Sequence, residues 1–122
     1  MTDREIDALV AEKVMGNDVF SIGGPNPLQE GNKDQGTRIL AHYSTSIEAA
    51  WEVVEKLRSI APERYDYNFE IKQLSDEYWV NIELDFHGEI CGVDEIYEAE
   101  NKSAPKAICL AALKAVGVNI DD

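Results

Sequence analysis

Positive charge is scarce in this chain: eleven lysines and arginines stand against twenty-four aspartates and glutamates, a formal charge of −13 at pH 7. A field of that sign repels phosphate backbones and anionic membranes, so direct nucleic-acid or membrane binding is not expected and basic partners are favoured. The blander reading is a small protein kept soluble by its charge. Cysteine is equally sparse. Cys91 and Cys109 are the two, on different predicted elements, and they are expected to be small buried thiols rather than a disulfide or a reactive site. No apolar run approaches the ~18 residues of a membrane span, and the first ten residues are too polar for a signal peptide, so a cytoplasmic protein is expected. With two histidines, no Ser-His-Asp or Cys-His arrangement offers itself. A phosphate-cradling loop is missing too, because Gly31-Asn32-Lys33-Asp34 has neither the spacing nor the following helix.

What is present is a core. The 122 residues are 44% hydrophobic, enough for one domain over residues 1–122 without metal or disulfide. The organising stretch is YSTSIEAAWEVVEKL, residues 43–57. Thr45 and Glu48 form a capping box, Ile47, Ala50, Trp51, Val54 and Leu57 share one helical face, and Pro62 stops the pattern. Burying Trp51 alone is expected to contribute about 2–3 kcal/mol.

Before it, Thr2 and Glu5 cap a first helix over residues 3–15, with Ile6, Leu9, Val10 and Val14 as its stripe and Gly16 as its left-handed end. Val19, Phe20 and Ile22 suggest a brief strand. Residues 23–36, GGPNPLQEGNKDQG, read as a long irregular loop, either a plain connection or a binding lid. After the central helix, Tyr65 to Lys72 and Tyr78 to Phe86 alternate with period two around a Ser75-Asp76 turn, which predicts a hairpin. A third strand follows over residues 89–97. A closing helix starts near Ser103, with Pro105 in its first turn, and ends at Gly117.

The blocks DREIDALVAEKVMG, YSTSIEAAWEVVEKL, Tyr78-Trp79-Val80 and KSAPKAICLAALKAVG, in that order, resemble the phage ABA-sandwich domain family, small proteins of phages and prophages. The resemblance implies an α+β fold, an α–β–α sandwich in which a three-stranded or slightly larger antiparallel sheet packs with about three helices. It also implies a viral accessory role in the host cytoplasm, and it carries no catalytic residues over.

Several constellations remain. Asp85, His87 and Glu89 alternate as D-x-H-x-E at a strand end; a metal site there is weighed against a solvated turn, and the turn is favoured. Glu83, Asp85, Glu89, Asp94, Glu95, Glu98 and Glu100 form an acidic run free of Lys and Arg, read either as a mimic of nucleic-acid phosphates or as a charged sheet edge that prevents aggregation. Glu48, Glu52 and Glu55 read as an exposed helix face rather than paired catalytic acids. Trp79 points away from Tyr78 and Val80, either as core for a second helical layer or as an exposed anchor.

The expectation is therefore a non-enzymatic protein, without cofactor or metal, that binds an unknown host or phage protein, with a homo-oligomer left open. The candidate binding residues are Lys33, Arg38, Arg64, Trp79, Glu83, Asp85 and Glu89. A binder or sponge of a small nucleotide signal is the alternative, and would need cations such as Arg38, Arg58, Arg64 and Lys72 in one place.

Overall fold

The structure is a computed structural model that describes residues 1–21, 28–32, 36–88 and 92–120. Helix α1 spans Asp3–Lys13. The Thr2 hydroxyl accepts from the Glu5 backbone N–H at 3.2 Å, and Gly16 takes a positive φ of 73° just beyond the end, so both signals in the sequence are used. Ile6, Val10 and Val14 are buried as the stripe requires, and so, unexpectedly, is Asp7.

The segment expected to be one long loop contains a strand. β1 (Asp18–Ser21), β2 (Leu28–Asn32) and β3 (Gly36–Ile39) form an antiparallel sheet in that order. Glycine is what hid it. A side chain at Gly31 would collide with the carbonyl of Gly36 and the Cα of Thr37, and Gly36 itself takes a φ of 81°. Here the glycines permit close strand pairing instead of breaking it. Ile22 and residues 23–27 of the expected strand and loop lie outside the described residues.

Helix α2 spans Ile47–Ser59, and its cap is Ser46, not Thr45: the Ser46 hydroxyl accepts from Ala49 N–H. The buried stripe is Ala50, Val53, Val54 and Leu57. Trp51 is 47% exposed and Ile47 53% exposed. Ala50, Val54 and Leu57 face inward as expected, but Val53 takes the place of Ile47 and Trp51, a turn of the face by about 50° at 100° per residue, and Trp51 sits on the rim instead of in the core.

β4 (Tyr65–Gln73), β5 (Tyr78–Phe86) and β6 (Gly92–Asn101) form a second antiparallel sheet, with a bulge in the β5–β6 pairing between Leu84 and Asp85. The hairpin falls where the alternation placed it. Helix α3 (Ala104–Ala115) begins at the Ser103 cap, and Gly117 follows at a φ of 88°. Ala107 to Leu113 are buried without a break, because α3 packs on β5, β6, α2 and α1 together. Small side chains allow that close approach on every side. The expected α–β–α sandwich of three helices and antiparallel sheet is present, with a second three-stranded sheet that the glycine-rich segment had concealed. Cys109 is buried in α3 with a free thiol, whose pKa burial pushes well up; Cys91 is outside the described residues.

Candidate functional site

In the second sheet, alternate residues divide sharply between two faces. Tyr67, Val80, Ile82, Leu84 and Ala99 are buried against the helices. The opposite face is acidic. Its register aligns Asp66 with Asp85, Asn68 with Glu83 and Ile96, Glu70 with Asn81 and Glu98, and Lys72 with Trp79 and Glu100. The acidic run read in the sequence thus keeps Glu83, Asp85, Glu98 and Glu100 on this face and gains Asp66 and Glu70 from β4. Glu95 leaves it, because regular alternation from Tyr97 puts it opposite Leu84 on the helix side, ahead of the bulge; there it helps burial to raise the Tyr67 pKa.

Two atoms at the centre of the acidic face stand out. Asn81 is 6% exposed; its Nδ2 donates to Glu83 Oε1 at 3.3 Å, while its Oδ1 is buried without a partner among the described residues. The Glu83 carboxylate fixes the amide orientation, since the reverse would set oxygen against oxygen. Asp85 accepts from Asn68 Nδ2 through Oδ2, and its Oδ1 is likewise buried without a partner. Both vacant positions are acceptors, and each unmet one costs about 1–3 kcal/mol. Val93 and Ile96, each 53% exposed, border the carboxylates.

Trp79 is half-buried on this face, with no second helical layer above it among the described residues; the Lys72 ammonium lies 5.1 Å from the ring centroid. The expectation of a second-layer core residue is corrected: the ring carries a cation instead. His87 Nε2 meets Asp66 Oδ2 at 2.8 Å, both exposed, rather than turning toward Asp85. Among the described residues no group of three or more His, Cys, Asp or Glu side chains is placed to hold a metal, and Glu89 lies outside them.

Among the described residues Arg38 shares its cleft with Lys56 but with none of Arg58, Arg64 and Lys72. Arg38 lines a cleft of ≈ 390 Å³ with Met15, Asn17, Glu30, Gly31, Gly36, Thr37 and Lys56. Its guanidinium is already engaged, with Tyr43 Oη at 3.1 Å, Glu52 Oε2 at 3.4 Å and Glu30 Oε2 at 3.7 Å. Those partners, the Tyr43 hydrogen bond first, hold its pKa above the usual arginine value. Arg64 sits elsewhere, exposed at a left-handed φ of 69°, with its carbonyl accepting from His87 N–H at 2.7 Å. Lys33 is outside the described residues.

Beneath the cleft lies a polar cluster that sequence reasoning missed. Glu30 is fully buried; its Oε1 accepts from Tyr43 Oη at 2.5 Å and Asn17 Nδ2 at 2.8 Å, and its Oε2 from Ala41 N–H at 2.7 Å. Asp7, also fully buried, accepts from Ser44 N–H at 2.7 Å and Arg4 at 2.9 Å. Arg4 in turn donates to the Leu40 carbonyl at 2.9 Å. Together they pin residues 40–44 and set the entry into α2. The one available signal was Asp7, an acid inside an apolar stripe.

Comparison with known proteins adds a setting. The family model for the phage ABA sandwich domain matches residues 8–113. A 2.0 Å crystal structure of a phage protein from Bacillus cereus ATCC 14579 superposes with a TM-score of 0.63 at 26% identity, over 99% of this chain and 93% of that one. Among curated proteins nothing matches.

Proposed function

The chain belongs to the phage ABA sandwich domain family, and we propose that it acts there as a non-enzymatic binding protein whose acidic sheet face docks a basic segment of a host or viral protein. The observation that carries this is the pair of buried acceptors, Asn81 Oδ1 and Asp85 Oδ1, at the centre of that face. Arginine and lysine side chains supply donors without acceptors, which is what such a surface lacks. Trp79 supports the same reading: Lys72 occupies its ring, and a partner arginine can take that place. Val93 and Ile96 give apolar contact at the border. A partner that normally holds nucleic acid in a basic groove is the special case in which the face imitates phosphates.

The cleft beside Arg38 gives the small-nucleotide reading less support, because Glu30 and Glu52 already offset its guanidinium.

Calorimetric titration with an arginine-rich peptide of about nine residues, the length of a typical long strand, tests the proposal. Neutralising Glu83, Asp85 and Glu98 to Gln, Asn and Gln is expected to weaken binding at least tenfold. Neutralising the exposed Glu5, Glu12 and Glu63 changes net charge equally and is expected to leave most of the affinity. Equal losses from the two variants contradict a docking face. Competition between this chain and duplex DNA for a protein with a basic DNA-binding groove then distinguishes phosphate mimicry from other basic partners.

A further inference from the structure

The rim of α2 forms a second surface, independent of the sheet face. Ile47 and Trp51, 53% and 47% exposed, stand one helical turn apart and line an open groove of ≈ 440 Å³ with Glu48, Glu52 and Glu55. A tryptophan left half in water beside an exposed isoleucine stabilises the fold little for its size, yet tryptophan is the side chain that contributes most at interfaces. The glutamates beside it are repeated at i, i+4 and i+7. Like charges so spaced weaken an isolated helix. Glu52 has Arg38 at 3.4 Å, whereas Glu48 and Glu55 make no ion pair among the described residues.

We infer that this groove receives an amphipathic helix of another protein, with a large apolar side chain seated between Ile47 and Trp51 and lysines or arginines meeting Glu48 and Glu55. The charge pattern selects this occupant. A second copy of the chain, docked isologously, brings the same glutamates against one another. An anionic lipid surface is repelled by them. A cationic amphipathic helix satisfies both the apolar strip and its acidic flank, the helix-in-groove mode of recognition.

The test uses the Trp79→Phe variant of the full chain, in which Trp51 is the single remaining tryptophan. The probe is a synthetic leucine–lysine peptide of about 18 residues, long enough to hold a helix on binding. Titration is expected to shift Trp51 emission to the blue and to give saturable binding that weakens as salt is raised. Trp51→Ala, followed by fluorescence anisotropy of a labelled peptide, is expected to lose at least tenfold in affinity. Glu48→Lys with Glu55→Lys is expected to lose a similar factor, with circular dichroism unchanged in both variants. Equal binding of a shuffled peptide of the same composition overturns the proposal, as does full affinity in Trp51→Ala. A concentration-dependent dimer that Trp51→Ala abolishes also overturns it, and assigns the groove to a second copy. Because every variant that decides the outcome lies on α2 and none on the sheet face, failure here leaves the sheet-face reading standing.

Discussion

Two sets of carboxylates in this molecule have opposite surroundings. Asp7 and Glu30 are fully buried, and each oxygen is met by donors from Arg4, Ser44, Asn17, Ala41 or Tyr43. On the outer face of the second sheet the acids are exposed or half-buried, Asp66 directly faces Asp85, and two acceptors at the centre have no donor among the described residues. Burial tolerates a charge when it is paired and hydrogen-bonded. A solvated sheet face tolerates crowded charge because water screens it. The first set therefore holds the chain together, and the second is free to meet something else.

Removing a member of the buried set gives the largest expected effect. Glu30→Ala leaves Tyr43, Asn17 and the Ala41 N–H without their acceptor and is expected to destabilise the fold by about 3–5 kcal/mol, read from urea midpoints. Tyr43→Phe removes one donor and is expected to cost about 1–3 kcal/mol at neutral pH.

The same residue predicts a pH dependence. Burial first, and the Glu30 hydrogen bond second, keep Tyr43 protonated well above its ordinary 10.0. The unfolded chain ionises near 10, so the contribution is complete below that pH and is lost as pH rises toward the folded value. Cys109, raised mainly by burial from 9.0, acts with the same sign. Stability is thus expected to fall on the alkaline side, and Tyr43→Phe is expected to show a shallower fall than the wild type.

Smaller effects belong to the surface. Trp51→Ala is expected to cost only about 1 kcal/mol, since half of the ring is already in water; a loss of 2–3 kcal/mol would restore it to the core. Asp85→Asn is expected to change stability by less than about 1 kcal/mol, with a gain if relief from Asp66 dominates. If it instead destabilises as Glu30→Ala does, the contrast between the two sets fails.

Much of this architecture was legible in the residues. The β4–β5 hairpin follows from strict alternation, and α1 and α3 from the Thr2 and Ser103 caps with glycines beyond their ends. Two features were not. Residues 28–32 look like loop because Gly31 carries no side-chain pattern, although it is the close approach to Gly36 that requires glycine. Trp51 falls within reach of either edge of the α2 stripe, and periodicity alone does not decide which edge turns inward. As for the sites, the sequence placed Glu83 and Asp85 in one run. It held no sign that Asp66 and Glu70 join them across the sheet, because register is a tertiary property. The pairing of Glu30 with Tyr43 was hidden for the same reason.

The most direct test of this division is the Asn81 side-chain amide resonance during titration with the arginine-rich peptide. A saturable shift at Asn81 and at the Trp79 indole, with the Asn17 amide beside Glu30 unmoved, is the predicted result. Shifts spread evenly over exposed acids, with Asn81 silent, would contradict the account and leave the acidic face a solvated surface only.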